Sequence, residues 1–148
     1  MLRVRRIRRS DLPRVARLVR ALAAAVDDPA PRLSKAALET VLFGPRAWAE
    51  GHVAVAGSTI VGYAVVSRSF EPHTAKKQLR IADLFVIESR RGAGAGRLLF
   101  RHLASRARRL GCREMVWEVW RENAAAYAFY ERLGGRHAPD VTTMRFAL

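Results

Sequence analysis

The sequence is short of several things, and each shortage excludes something. Cys112 is its one cysteine, so no internal disulfide forms and the thiolate clusters of structural zinc sites are ruled out. The four histidines (His52, His73, His102 and His137) fall at no metal-ligand spacing, and each reads as a surface residue. Lys35, Lys76 and Lys77 are the only lysines, which leaves 24 arginines among 27 basic residues. Acidic residues number 13, giving a formal charge of +14. No apolar run approaches the roughly 20 residues of a membrane span. The basic start, Met1 to Arg6, lacks the apolar stretch of a secretory signal. A cytoplasmic protein without a membrane segment is the expectation.

What is present suits a globular protein. With 148 residues, half of them hydrophobic, the chain supports one domain over 1–148 with a real core. Linkers and internal repeats are absent from the pattern. The arginine excess has two readings: solvated faces of an Arg/Ala-biased chain, or attraction to a polyanion.

Leu2, Val4 and Ile7 interleave with arginines, as in a half-exposed first strand. Ser10 reads as an N-cap, with Pro13 in the first turn of a helix. Leu12, Val15, Leu18, Val19, Leu22 and Val26 then keep helical spacing. The stretch from Asp27 to Pro31 breaks that helix. Ser34 caps a shorter one through Leu42. His52 to Ala56 is a strand, Gly57 to Thr59 a turn, and Ile60 to Ser67 the return strand. Glu71 to Lys77 reads as a polar loop. Gln78 to Ile87 is a strand, and a helix follows from about Gly94 to Leu110, with Leu99, Leu103, Ala107 and Leu110 inward. On that helix Arg97, Arg101, Arg106 and Arg108 read as outward. Gly111 ends it, and Cys112 beyond reads as an inert core thiol. Met115 to Trp120 is a strand, about Asn123 to Leu133 a helix, and Val141 to Phe146 a last strand. The segment 84–120 is therefore a βαβ unit, whose two strands are expected to be parallel and joined by a right-handed crossover within a mixed sheet.

The chemistry concentrates where the apolar run Leu84-Phe85-Val86-Ile87 meets Gly92, Gly94 and Gly96 and a helix begins. Such a turn converges backbone N–H groups with the positive end of a helix dipole, which is an anion site. The Walker pattern fails, because Arg97 and Leu98 follow Gly96. The G-x-G-x-x-G pattern also fails, since Arg97 and Leu99 occupy the required glycine positions. What remains, Arg91-x-x-Gly94-x-Gly96, resembles the pyrophosphate loop of the GNAT superfamily of acetyl-coenzyme A-dependent N-acetyltransferases. A second motif, Asn123-x-x-Ala126-x-x-Phe129-Tyr130-x-x-x-Gly134, resembles that superfamily's N-x-x-A-x-x-F-Y-x-x-x-G pattern. Within it the chain looks most like the diamine (spermidine/spermine-like) acetyltransferases. The supporting residues are Phe43-Gly44-Pro45, Val61-Gly62-Tyr63-Ala64 and Asp83-Leu84-Phe85-Val86. That subfamily carries a Glu-Asp pair where this chain has Ala82-Asp83.

The resemblance implies an α+β fold, with a mixed, mostly antiparallel sheet of six to seven strands flanked by four helices. It implies acetyl-CoA as co-substrate and no metal. The pantetheine arm is expected along the backbone of Phe85, Val86 and Ile87, with the Val86 N–H polarising the thioester carbonyl. The pyrophosphate is expected on the backbone of Arg91, Gly92, Ala93, Gly94, Ala95 and Gly96, and Asn123 against the cofactor arm. Tyr130 is the candidate general acid, since a phenol with a pKa of about 10 is protonated at neutral pH. Asp83 and Glu118 are candidate bases, each also readable as structural or substrate-orienting. The acceptor is then a small-molecule amine, diamine-like or amino-acid-like. An acceptor that is neutral overall, or that carries a carboxylate, suits the charge best. Nucleic acid is not required, and a homodimer is compatible with the resemblance. Two competing readings stand beside it: a protein N-acetyltransferase acting on a basic or ribosome-associated target, and a nucleic-acid-binding module. The last lacks an aromatic RNA-binding signature, a zinc pattern and a helix-turn-helix.

Overall fold

The computed structural model describes residues 1–28 and 33–148. The chain separates into two compact units, Met1–Glu118 and Val119–Leu148. The first contains β1 (Leu2–Arg6), α1 (Leu12–Ala25), α2 (Lys35–Leu42), β2 (Glu50–Ala56), β3 (Thr59–Glu71), β4 (Lys76–Val86), α3 (Ala95–Arg109) and β5 (Glu114–Trp117). The second contains α4 (Ala124–Arg132).

Among the described residues the strands form one mixed sheet of five, in the order β1-β2-β3-β4-β5. The first three pairings are antiparallel, and β4–β5 is the parallel pair that the βαβ pattern requires. Six to seven strands were expected. The difference falls at the C-terminus, where 141–148 has no regular structure and Val141, Met144 and Phe146 are exposed. Their alternation suits a strand, but a strand exists only where a neighbour takes its hydrogen bonds.

The two sheet faces carry different helices. Val53, Val55, Tyr63 and Phe85 point to the side of α1 and α2, where they join Ile7, Leu12, Val15, Leu18, Leu38 and Leu42 in one core. The opposite face meets α3 through buried Leu99 and Leu103, and the ring of Phe100 lies edge-on to Trp117 at 5.6 Å. Two irregularities adjust which side chain faces where. The pairing Val66↔Ile81 is followed by Val65↔Asp83, so Ala82 is an extra residue on β4. That bulge lets Ile81 face α3 while Asp83 faces α1 and α2.

Several local expectations change. Asp11, not Ser10, closes the start of α1: its carboxylate accepts from the Arg8 N–H at 2.7 Å and from both terminal nitrogens of Arg5. Asp27 takes φ +53° and ends α1, with the Asp28 N–H donating to the Ala23 carbonyl at 2.9 Å. The Pro29-Ala30-Pro31 part of the expected break lies outside the described residues. The expected loop 71–77 shrinks to a single turn at Pro72–Thr74, because the β3–β4 ladder runs out to Glu71↔Lys76. β5 stops at Trp117 instead of Trp120. Ser34 caps α2 as expected, accepting from the Ala37 N–H at 3.0 Å. Gly111 ends α3 as expected; it has φ +75°, and the Cys112 N–H donates to the Ala107 carbonyl at 2.9 Å. Cys112 itself is half-buried, so it is not a core thiol.

His52 and His102 are not surface residues of the ordinary kind. His52 is 3% exposed, and its Nδ1 lies 3.1 Å from His102 Nε2 on α3. Beside them Glu50 accepts a two-pronged hydrogen bond from Arg106, which therefore does not point to solvent as the helix pattern implied. Arg106 holds the Glu50 carboxyl down at about 2. Burial lowers His52 to about 4, keeping it neutral. This is a bolt between β2 and α3. Among the described residues no cluster of three or more metal-ligating side chains occurs, and no helix is long and apolar enough to cross a membrane.

Candidate active site

The site is built where β4 loses its neighbour. The β4–β5 register reaches Ile81↔Trp117 and stops, while β4 continues through Val86 paired with β3 on its other side. Main-chain groups of successive residues point to opposite sides of a strand. The Ile87 N–H donates to the Val61 carbonyl at 2.9 Å, toward β3. Phe85 shares that direction, and the Val86 and Leu84 main chains face the open side that β5 has vacated. Of the three residues expected to line a cofactor arm, Val86 is the one whose N–H is directed there. The Val86 carbonyl, on the same side, accepts from Arg91 Nε at 3.1 Å. The Arg91 guanidinium lies 5.7 Å from the centre of the Phe85 ring. A cation is thus held at the mouth of the gap by a hydrogen bond and a ring face.

The glycine turn follows directly. Gly92 and Gly94 take φ +78° and +86°, and no atom lies within 4 Å of where a Cβ would stand on either. Backbone conformation, not crowding, demands glycine there. Gly94 is the N-cap of α3 and offers no side-chain cap; the first helical bond runs from the Leu98 N–H to the Gly94 carbonyl at 2.9 Å. The N–H groups of Ala95, Gly96 and Arg97 precede that bond and have no acceptor within the helix. Residues 91–94 are exposed. The Arg91 N–H is already given to the Glu88 carbonyl at 3.0 Å, so the Arg91 backbone N–H is not among the donors left over at this turn.

The two candidate carboxylates sit in contrasting settings. Asp83 shares the α1/α2 face with Phe85, as strand alternation required. Its Oδ2 accepts a hydrogen bond from the Tyr63 hydroxyl at 3.1 Å, and no cation pairs with it among the described residues. Burial raises the Asp83 carboxyl above the usual range, and the Tyr63 bond opposes that rise. Tyr63 is 1% exposed, and burial above all, then the neighbouring carboxylate, keeps its phenol protonated. Glu118 is exposed and forms an ion pair with Arg80 of β4.

Residues of the second unit are described by themselves. Asn123 caps α4, its Oδ1 accepting from the Ala126 N–H at 3.0 Å. The Phe129 and Tyr130 rings meet edge-on at 5.0 Å, and Tyr127 stacks on His137 at 4.9 Å. Gly134, at φ +91°, ends the helix.

Tyr63 is the residue that reading the chain passed over. It stood among the residues of resemblance without a role, because its partner depends on a register set by the bulge at Ala82. The available signal was a hydroxyl on an otherwise apolar strand, opposite the strand holding a lone carboxylate.

Over 79 residues the chain is 38% identical to streptothricin acetyltransferase of Streptomyces lavendulae, covering 53% of this chain and 40% of that protein. Over 77 residues it is 31% identical to L-ornithine N5-acetyltransferase NATA1 of Arabidopsis thaliana, covering 52% and 34%. The chain therefore spans less than half the length of these curated relatives. A crystal structure of an aminoglycoside acetyltransferase from an uncultured soil metagenomic sample superposes with a TM-score of 0.81. It covers 99% of this chain and 96% of that one at 20% identity, which is a likeness of fold. The model of the acetyltransferase (GNAT) family matches residues 17–135. The open edge of β4, the glycine turn and the start of α3 all lie inside that match, and the chain belongs to the acetyltransferase (GNAT) family.

Proposed function

We propose that residues 1–148 act as an N-acetyltransferase domain that moves the acetyl group of acetyl-CoA directly to a primary amine of a small molecule. The observation that carries this is the run of β4 beyond the end of its β5 ladder, leading into the glycine turn of α3. The first offers main-chain pairing to an amide-containing arm, and the second offers donors to a pyrophosphate. The fit is chemical as well as spatial: exposed backbone N–H groups, a helix dipole and the Arg91 side chain all favour an anion.

Acetyl-CoA supplies the activated thioester. Val86 N–H donates to the thioester oxygen as negative charge develops on it. Asp83 receives the proton of the acceptor ammonium, directly or through a water, and so exposes the nitrogen lone pair. The nitrogen attacks the carbonyl carbon and the C–N bond forms; as the C–S bond breaks, the nitrogen gives its second proton to water, leaving a neutral amide. Tyr130 gives its hydroxyl proton to the departing sulfur and is reprotonated from solvent, while Asp83 returns its proton to water. Holding both substrates in line accounts for much of the rate, since orientation alone is worth roughly 7–11 kcal/mol. Glu118, tied to Arg80, shapes the acceptor side rather than accepting the proton.

The acceptor is diamine-like or amino-acid-like. Support comes from the two curated relatives, whose names give streptothricin and ornithine as substrates. The charge distribution favours the amino-acid-like end. Glu71, Glu114 and Glu118 already pair with Lys76 or Arg80, which leaves Asp83 as the carboxylate on the α1/α2 face without a cationic partner among the described residues. One ammonium is accommodated there, and a carboxylate elsewhere on the acceptor suits the +14 chain.

Thermal unfolding with and without acetyl-CoA, followed by a screen of diamines, amino acids and aminoglycosides for free thiol release, tests the reading. A rise in Tm with acetyl-CoA is expected, as mass action requires. Thiol release by an amine is expected to follow intersecting, ternary-complex kinetics. No Tm shift and no thiol release from any amine would reject it.

A further inference from the structure

We infer that Tyr63 is a positioning residue for the reaction: its buried hydroxyl holds one oxygen of Asp83 so that the other is presented to the acceptor amine. The inference rests on the proposed role of Asp83, and it adds a second residue to that role.

Three observations carry it. The Tyr63 hydroxyl donates to Asp83 Oδ2 at 3.1 Å, while no side chain among the described residues engages Oδ1. Tyr63 is among the largest fully buried side chains, packed near Phe85 with ring centres 6.2 Å apart, so the donor cannot swing away. The extra residue Ala82 is what turns Asp83 to this face; without that bulge the Asp83 side chain would lie against α3. A strand irregularity that aims one carboxylate at one hydroxyl is a common device near active sites.

The electrostatic surroundings make the arrangement directional. Of the elements against this face, α1 contributes Leu12, Val15, Leu18 and Leu22, and α2 contributes Leu38 and Leu42, all apolar. Across the β4–β5 edge Arg80 and Glu118 neutralise one another. Tyr63 is the titratable group acting on Asp83, and its hydrogen bond favours the charged carboxylate while burial disfavours it. Tyr63 transfers no proton. It keeps Asp83 ionised and oriented, ready to receive one.

The first arm of the test, a titration, does not need the acceptor to be known; the second uses whichever amine releases thiol. In full-length protein with 13C-labelled aspartate carboxyls, the Asp83 signal is identified by its loss in Asp83→Asn and titrated. A midpoint above that of an ordinary aspartate is expected. In Tyr63→Phe the midpoint should rise by about one further pH unit, the usual worth of a hydrogen bond to a charged group. Fluorinated tyrosine placed at 63, a stronger donor, should move it the other way, which also covers a Tyr63→Phe chain that does not fold. Identical midpoints in all three proteins would overturn the inference. Acetyl transfer separates this from the parent reading. If Asp83→Asn retains full turnover, Asp83 is not the proton acceptor, whatever Tyr63 does. If Asp83→Asn is inactive and Tyr63→Phe shows wild-type kcat and an unshifted acid limb of kcat/KM, Tyr63 alone is removed.

Discussion

Gly62→Ala should damage catalysis more than it damages stability. Gly62 lies on β3 opposite Val86 of β4. An added Cβ would stand 2.6 Å from the Phe85 carbonyl oxygen, 3.0 Å from Val86 Cγ2 and 3.4 Å from Leu99 Cδ1. The first contact is with backbone, which cannot rotate aside as a side chain does. β4 must therefore shift by several tenths of an ångström at the residue proposed to polarise the thioester. Overpacking of this kind costs about 1–3 kcal/mol, and for a chain of this size that lowers Tm by about 2–12 °C. The catalytic effect is larger, because displacing a preorganised donor costs about 10²-fold in kcat. Steady-state kinetics on protein shown by circular dichroism to be folded at the assay temperature would read both. A Gly62→Ala enzyme with wild-type kcat and a depressed Tm would refute the placement of the Val86 donor. An unchanged Tm would refute the packing argument itself.

Gly94→Ala forces a side chain onto φ +86°, a strain of roughly 1–2 kcal/mol at the cap of α3; acetyl-CoA affinity by calorimetry should fall while kcat at saturation changes little. Tyr130→Phe should lower kcat strongly with acetyl-CoA binding retained, and unchanged turnover would remove Tyr130 from the mechanism. The bolt between β2 and α3 predicts acid sensitivity. His52 is depressed from 6.5 to about 4 in the folded chain, so the unfolded chain binds the extra proton between those values and stability falls as pH drops through that window. Glu50, depressed from 4.5 to about 2, adds a second loss at lower pH. Thermal melts of His52→Gln should show a flatter dependence between pH 6.5 and 4, while the loss below pH 4.5 persists.

The motif region was largely legible in the sequence because its determinants are local. The helical spacing of α3, its glycine stop and the positive-φ glycines before it follow from each residue's own conformational range. The same holds for Asn123 as the cap of α4. What failed were statements about partners. Val141 to Phe146 has the alternation of a strand but no ladder. Helix periodicity points Arg106 to solvent because it carries no information about Glu50 on another element. Polarity alone puts His52 at the surface, yet its strand neighbours place it under α3.

By itself, then, the chain determined the extents of α2, α3 and α4 to within a residue and that one turn, 92–96, would present main-chain donors free of helix partners. Those are matters of φ preference, hydrogen-bond supply and apolar period, all decided within a few residues. Only the tertiary structure decided that β5 ends at Trp117 and leaves Val86 an open side, and that the bulge at Ala82 brings Asp83 to Tyr63. Both depend on register between strands distant in sequence. Register is fixed by how whole faces bury against helices, and no short stretch of residues contains that sum.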